Sequence, residues 1–134
     1  MLSKDRVKAP KDLAEIIDTE KAAGQKVVFT NGIFDFVHAG HLEYLEKARS
    51  LGDMLVIAIN SDTSTSRIKG PSRPINKQAD RAQILPGLRC VDYVPIFDQD
   101  TPTEILDILK PSIHAKGGDY DPEKMPESPT VRKN

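Results

Sequence analysis

The amino-acid sequence predicts an α/β protein, a single domain built on a doubly wound parallel β-sheet. Apolar segments of strand length alternate along the chain with segments of helical periodicity. The segment MLVIAI (54–59) has no polar alternation, as is typical of a strand covered on both faces. A length of 134 residues suits one domain. Alternating strands and helices imply parallel pairing through right-handed crossovers.

The predicted elements begin with an N-terminal helical extension over residues 1–25, in which KDLAEIIDTEKAAG places its apolar residues on one helical face. The short apolar run KVVFTNG predicts the first strand, which an Asn-Gly turn closes. From Ala39, the segment AGHLEYLEKARSLGD is helical. Its apolar stripe is expected to face the core: Leu42, Leu45, Ala48 and Leu51. The second strand is MLVIAINSD.

The second half of the chain continues the alternation. NKQADRAQILPGLR predicts a helix that Pro86 should end early, and VDYVPIF predicts a strand in which Pro95 indicates an edge position or a bulge. Thr101 and Pro102 are expected as the N-cap and first residue of another helix. SIHAKGG predicts the fourth strand. Residues 121–134 have three prolines and no periodicity, which predicts a loop or disordered tail.

Composition and charge argue against several classes of function. The formal net charge of −1, from 19 basic and 20 acidic residues, gives no general attraction for nucleic acid or an anionic membrane. The longest strongly apolar run is too short to span a bilayer, and the N-terminus lacks the apolar region of a secretory signal. Cys90 is the only cysteine, which excludes an internal disulfide and a multi-cysteine zinc site. We therefore expect a cytoplasmic protein without nucleic-acid or membrane partners.

Polar segments follow three of the predicted strands: TNGIFDFVHAGH and KGGDY, which contain glycine, and NSD. Because the carboxyl ends of parallel strands meet at one edge of the sheet, these segments should converge where open α/β sheets bind ligands. His38 and His41 flank Gly40 at the start of a helix, where free backbone N–H groups favour an anion. Imidazoles can donate to phosphate oxygens, and glycine lets a phosphate approach the backbone. This pattern predicts a phosphate site.

Simpler interpretations apply to each motif alone. A lone histidine near a helix start is more often a capping or surface residue, and KGGDY by itself is ordinary turn chemistry. KGPSRP (69–74) would usually be a solvated basic loop. No metal site is expected, because His114 and Cys90 are distant in sequence and no His-Glu-x-x-His pattern occurs. Neither a Gly-x-Gly-x-x-Gly loop nor a Gly-Lys-Ser/Thr phosphate loop is present, which disfavours hydride transfer and phosphate-loop nucleotidases.

The segment GIFDFVHAGH resembles the G-x-F-D-x-x-H-x-G-H signature of the cytidylyltransferase-like nucleotidyltransferases. VVFTNG, KGPSRPIN, CVDYVPIFDQDTP and AKGGDY are similar to the adenylyltransferase module that makes ADP-activated heptose, and the resemblance covers residues 13–134. It implies a Rossmann-like fold and transfer of AMP from ATP to a sugar 1-phosphate such as D-glycero-D-manno-heptose 1-phosphate. It further implies Mg²⁺ carried with ATP and a homodimer, and it leaves open a separate sugar kinase as a functional partner.

The resemblance also assigns roles to individual residues. His38 and His41 would bind the nucleotide phosphates and stabilise the transition state at the α-phosphorus, and Lys69, in a mobile loop, would reach phosphate oxygens. Substrate binding would involve Asn31, Asp35 and Arg81. Nucleotide binding would involve Gly32, Ile33, Phe34, Gly40, Gly117, Gly118, Asp119 and Tyr120.

Three departures from the family pattern accompany the resemblance, and one is the Pro86-Gly87 pair, which is unusual inside a helix of this family. Ile33 stands where the family usually has cysteine or threonine. The family also continues past the position of Asn134 into a Ser-Thr-Thr-bearing turn and helix that close over the triphosphate, and this closing segment is expected to be absent. Two alternatives remain open from the sequence: a cytidylyltransferase acting on glycerol phosphate or a similar alcohol phosphate, and a nucleotide-binding module without catalysis.

Overall fold

The computed structural model describes residues 1–115 and shows four parallel strands with flanking helices, which confirms the predicted α/β fold class. The predicted site residues Gly117, Gly118, Asp119 and Tyr120, and the predicted tail 121–134, lie outside the described residues. The strands are β1 (Val27–Gly32), β2 (Met54–Asn60), β3 (Ile96–Phe97) and β4 (Ile113–His114). The helices are α1 (Pro10–Ala22), α2 (Ala39–Arg49), α3 (Asp62–Lys69), α4 (Gln78–Ile84) and α5 (Thr103–Leu109), with 3₁₀ turns at Ser3–Arg6 and Leu85–Gly87.

The sheet order β3-β2-β1-β4 places β1 at the point where the strand order reverses. β1 and β2 pair in parallel along their lengths, from Val27 opposite Met54 to Gly32 opposite Ile59. The first crossover adds β2 on one side of β1, whereas the last adds β4 on the other side. The loop that leaves β1 therefore opens at the topological switch point, where doubly wound sheets bind their ligands.

Both faces of the sheet are covered, which explains why β2 lacks polar alternation. Every residue of β2 is buried. Leu55, Ile57 and Ile59 pack into one hydrophobic cluster with Leu45 of α2, and the residues between them pack into a second cluster that includes Leu106 of α5. The two faces of β2 thus join two cores across the sheet.

The amphipathic helices are only partly as predicted. In α1, Leu13 and Ile17 are fully buried, as their spacing indicates. In α2, Leu45 and Ala48 are buried, but Leu42 and Leu51 are 36% and 52% exposed. The expectation of a four-residue core stripe was therefore wrong for Leu42 and Leu51. Leu51 follows the end of α2, and only the central part of the stripe faces the sheet.

Helix α3, which directly follows β2, was not predicted from the sequence. Its sequence, DTSTSRIK, is rich in hydroxyl side chains that compete with the helical backbone for hydrogen bonds. The fold supplies other partners: Ser61 caps the helix by accepting a bond from the Ser64 N–H, and the buried Ser64 hydroxyl donates to the Gln99 carbonyl. Lys69 is consequently the last residue of a helix, so its placement in a loop that begins at residue 69 was wrong.

In the second half of the chain, the element boundaries predicted from proline positions agree with the structure to within a few residues. Helix α4 ends at Ile84 and continues as a 3₁₀ turn through Pro86, as expected. β3 is an edge strand, which fits Pro95, but it covers only the end of the predicted segment. The N-cap of α5 is Pro102 rather than Thr101. Within residues 1–115, no helix has the length and apolar character needed to cross a membrane.

Candidate active site

The loop from β1 to α2 ends in an interlocked pair of histidines. His38 is the N-cap of α2 and has an extended backbone, with φ −135° and ψ −179°. The Gly40 N–H donates to His38 Nδ1 at 3.1 Å, and the His38 N–H donates to His41 Nδ1 at 3.2 Å. Each imidazole therefore satisfies a backbone donor at the helix start, as in a capping box built from two histidines.

These bonds fix the chemistry that each ring can offer. Because Nδ1 accepts a hydrogen bond in both rings, the single proton of each neutral imidazole is assigned to Nε2. The ring centroids lie 4.1 Å apart, and partial burial together with the charge of a protonated His38 lowers the pKa of His41. His38 is exposed and His41 half-buried, so the pair can present two Nε2–H donors to a ligand.

The buried Phe34 side chain packs against His41 of this pair. Its backbone is left-handed, with φ 53°, and its ring centroid lies 5.5 Å from that of His41. The ring folds back over Gly32, where an added Cβ would lie 2.8 Å from Phe34 Cε2. At Gly40, an added Cβ would lie 3.0 Å from His38 Cε1. A side chain at position 32 would therefore displace the buried Phe34 ring, whereas a side chain at position 40 would crowd the exposed His38 ring.

Asp35 ties this loop to the segment that precedes α4. Its carboxylate accepts hydrogen bonds from the N–H groups of Ile75 and Asn76, both at 2.8 Å, and the Asn76 amide donates to the Asp35 carbonyl. Desolvation raises the pKa of Asp35, but these hydrogen bonds and the positive charge of Arg81 outweigh it, so the pKa is lowered overall. Asp35 thus remains a carboxylate at neutral pH.

The predicted substrate residues Asp35 and Arg81 meet at one cavity of about 220 Å³ beside the histidine loop. Arg81 is only 2% exposed and donates to the main-chain carbonyls of Ile33, Asn60 and Asn76. The third predicted substrate residue, Asn31, lies at the end of β1 and its side-chain oxygen is 3.2 Å from His114 Nε2. Their substrate roles stay predictions. The cavity is lined by Phe34, Asp35, Phe36, Val37, Asn76, Arg81 and Ile84.

Lys69 is exposed at the carboxyl end of α3 and forms no ion pair with any residue of 1–115. The structure does not bring it into contact with either histidine, so its catalytic role also stays a prediction. Ile33 is half-buried and presents its carbonyl to Arg81 rather than to open solvent.

Three further residues border the site and were not among the predicted site residues: Asp62, Asn76 and His114. His114 looked distant in sequence, but β4 pairs with β1 and places it beside Asn31. Its position at the end of the fourth strand was the available signal. Asp62 belongs to the NSD segment that was expected to face the site, but its bond to Arg81 was not predictable, and Asn76 carried no local signal because its role depends on its contact with Asp35. Among residues 1–115, no group of three His, Cys, Asp or Glu side chains could hold a metal ion.

Comparison with known proteins identifies the family of this site. The sequence model of the family described as Cytidylyltransferase-like matches residues 29–129, which contain both histidines and the loop that carries them. The chain belongs to the cytidylyltransferase-like family. It is therefore a nucleotidyltransferase, as its sequence resemblance implies.

The HldE relatives of this cytidylyltransferase-like domain are larger proteins. The chain is 52% identical over 120 residues to the bifunctional protein HldE of Syntrophotalea carbinolica, covering 90% of this chain and 24% of that protein. It is 54% identical over 121 residues to the bifunctional protein HldE of Pelobacter propionicus, covering 90% of this chain and 25% of that protein. The chain thus spans about a quarter of the length of these curated relatives.

A solved structure supports the same fold assignment. The crystal structure of a lipopolysaccharide core biosynthesis protein from Thermoplasma volcanium is 30% identical in sequence, with a TM-score of 0.69. The match covers 82% of this chain and 88% of that one. Unlike the HldE proteins, this structural relative is matched over most of the length of its solved chain.

Proposed function

We propose that this domain transfers AMP from MgATP to a sugar 1-phosphate, D-glycero-D-manno-heptose 1-phosphate, releasing an ADP-sugar and pyrophosphate. The transfer of a nucleotidyl group is the activity of the family; the adenine base and the heptose acceptor are our proposal. Support for them comes from about 50% identity to HldE proteins over most of the chain.

The observation that carries the proposal is the histidine pair at the start of α2. Both Nδ1 atoms accept hydrogen bonds from backbone N–H groups. The two Nε2–H groups therefore remain as hydrogen-bond donors for a ligand at the switch point of the sheet. Donors held in place before the reaction are most effective where charge develops on oxygen. We assign them to the non-bridging oxygens of the α-phosphate.

The chemical step needs little else from the protein. A phosphate oxygen of the sugar 1-phosphate attacks the α-phosphorus in line, the bond from the α-phosphorus to the bridging oxygen breaks, and pyrophosphate leaves with that electron pair. The attacking phosphate is already ionised at neutral pH, so no residue has to remove a proton. Positioning and charge neutralisation are then the main contributions, as in other phosphoryl transfers.

Mg²⁺ is part of the nucleotide substrate in this proposal. Magnesium prefers oxygen ligands and retains several waters, so the triphosphate and solvent can hold it without a dedicated protein site. The homodimer, the separate sugar kinase and the cytoplasmic location stay predictions.

An assay of pyrophosphate release tests the proposed function. The protein is incubated with MgATP or MgCTP, each with heptose 1-phosphate or glycerol 3-phosphate, and the His38→Ala variant is run beside the control Glu43→Ala, an exposed position on the same helix. We expect release only with MgATP and heptose 1-phosphate, lost in the histidine variant alone. Release with MgCTP and glycerol phosphate would support the cytidylyltransferase alternative, and nucleotide binding without release would support a non-catalytic module.

A further inference from the structure

Arg81 is the largest fully buried side chain of the described residues, at 2% exposure. An unpaired guanidinium in the interior would be costly, so its partners define its function. Its Nε donates to the Asn76 carbonyl at 2.9 Å, and its Nη1 donates to the carbonyls of Ile33 and Asn60, both at 2.8 Å. Its Nη2 donates to Asp62 Oδ1 at 2.9 Å.

These four acceptors belong to separate segments that meet behind the histidine loop. Ile33 follows β1, Asn60 ends β2, Asp62 begins α3 and Asn76 precedes α4. A guanidinium has five N–H donors in a rigid fork, and four contacts here are with protein. Little surface or bonding capacity is left for a substrate.

The same segments are also joined without Arg81, which shows how closely they are coupled. Asp62 and Gln78 exchange two hydrogen bonds of 2.8 Å between backbone N–H groups and side-chain oxygens. Asp35 holds the N–H groups of Ile75 and Asn76. The Ile33 carbonyl, however, is fixed by Arg81, and Ile33 directly precedes the left-handed Phe34 that packs against His41.

We propose that Arg81 is a positioning residue: it sets the conformation of residues 33–37, and through Phe34 the placement of His41, without touching the sugar phosphate. This inference rests on the proposed function for its kinetic consequence, but its structural part concerns the protein alone. It replaces the direct substrate contact that the family resemblance implies. Hydrogen bonds from the buried Arg81 guanidinium join the carboxyl ends of β1 and β2 to the turn before α4.

The test uses Arg81→Lys, which keeps the positive charge but loses the fork. Because small misplacements of reacting groups can cost about 100-fold in rate, we expect turnover to fall by roughly 10- to 100-fold. The Michaelis constants for MgATP and for the sugar phosphate should change together and by less than about threefold, since a positioning residue makes no selective ground-state contact. A rise in the sugar-phosphate constant of about tenfold or more with unchanged turnover would overturn the proposal.

Hydrogen–deuterium exchange of the ligand-free protein supplies a measurement that does not need activity. In Arg81→Lys, amides of residues 33–41 should exchange faster, while those of α1 and α5 remain as in the wild type. Arg49→Lys is the matched control, because Arg49 also donates to a main-chain carbonyl, that of Gly52 at 2.7 Å, away from the histidine loop. Unchanged exchange at 33–41 in Arg81→Lys, or equal acceleration in Arg49→Lys, would refute the positioning role.

A second variant guards against failure of Arg81→Lys to fold. Asp62→Asn keeps an oxygen acceptor for Arg81 but removes its only ion-pair partner among residues 1–115, at a half-buried site. We expect a weaker version of the same exchange pattern, and wild-type exchange at 33–41 would count against the proposal. If the wild type transfers no nucleotide with any substrate, the proposed function fails, but the exchange results still decide whether Arg81 positions the loop.

Discussion

His38 and His41 combine a structural and a chemical role at the start of α2. Their Nδ1 atoms cap backbone N–H groups, and their Nε2–H groups are left for a ligand. The capping interpretation and the phosphate interpretation of these histidines are therefore compatible, because each uses a different ring nitrogen.

Separate variants can divide these two roles. We expect His38→Ala to lower turnover by roughly 100- to 1,000-fold, the usual effect of losing one preorganised donor to an oxyanion, and to cost about 1 kcal/mol of stability through the lost N-cap. His38→Asn should restore the cap but not turnover. Steady-state kinetics and urea unfolding measure the two effects, and near wild-type turnover in a folded Ala variant would exclude the phosphate role.

The lowered pKa of His41 predicts a pH-dependent stability. A histidine in the unfolded chain has a pKa near 6.5, and the folded value is lower because of burial and then the charge of His38. As the pH falls below about 6.5, the unfolded state therefore binds protons first, and stability decreases through that window. Above it the contribution is constant.

Urea unfolding at several pH values between 5 and 8 on wild type and on His41→Gln isolates this effect, since carboxylate titrations are common to both proteins. The variant should lose less stability on acidification. An equal loss in both proteins would show that His41 does not contribute to the acid sensitivity of the fold.

Helix α3 changes how Lys69 can act. The Lys69 side chain extends from the last residue of a helix that Ser61 caps, rather than from a loop. We expect Lys69→Ala to reduce turnover more than affinity for MgATP, because a cationic contact strengthens as charge develops in the transition state. Its stability should stay within about 0.5 kcal/mol of wild type, as for most exposed positions.

Lys47→Ala is the matched control for Lys69, since Lys47 is an exposed lysine in the last turn of α2. It should leave both turnover and affinity unchanged. A raised Michaelis constant for MgATP with full turnover in Lys69→Ala would make Lys69 a simple binding residue.

The turn between α2 and β2 depends on a close backbone approach. An added Cβ at Gly52 would lie 2.7 Å from the Lys26 carbonyl oxygen and 2.8 Å from Val28 Cγ2. The Lys26 backbone cannot move away freely, because its carbonyl accepts from Asp53 N and its N–H donates to the Asp53 carboxylate, both at 2.8 Å. We expect Gly52→Ala to cost about 1–3 kcal/mol of stability.

Gly87→Ala provides the matched control for this turn, because nothing lies within 4 Å of its added Cβ. It should be neutral or stabilise by up to about 1 kcal/mol, by restricting the unfolded chain. Thermal or urea unfolding compares the two, and equal stabilities would contradict the steric explanation for Gly52.

The two hydrophobic cores share β2, so the domain should unfold as one unit. Leu55 belongs to one core and Leu106 to the other, and both are fully buried. We expect Leu55→Ala and Leu106→Ala each to cost about 2–5 kcal/mol. Leu51→Ala, at a position that is 52% exposed, should change stability by less than about 0.5 kcal/mol.

Urea titrations followed by far-ultraviolet circular dichroism and by tyrosine fluorescence measure this cooperativity. One coincident transition is expected for wild type and for each core variant, because loss of either core exposes β2. Two separate transitions, one for each face of the sheet, would contradict the shared-core description.

Local sequence patterns were sufficient to predict the fold class and the succession of strands along the chain, and the motif resemblance was sufficient to identify the family. The apolar run of β2 and the spacing of Leu13 and Ile17 reflect burial on sheet faces and helix faces, which sequence periodicity reports directly. The His-Ala-Gly-His segment located the loop between β1 and α2 because helix starts and strand ends combine in a few local patterns, and its phosphate role stays a prediction.

Only the tertiary structure decided what the individual polar residues do. The partners of Arg81 come from segments up to 48 residues away, and His114 reaches Asn31 across 83 residues, so no local pattern encodes these contacts. Helix α3 likewise forms from a poor helical sequence, and the hydroxyls of Ser64 and Ser66 donate to the carbonyls of Gln99 and Arg73, which lie outside the helix. Periodicity measures which face is buried, whereas hydrogen-bond partners depend on how the elements pack.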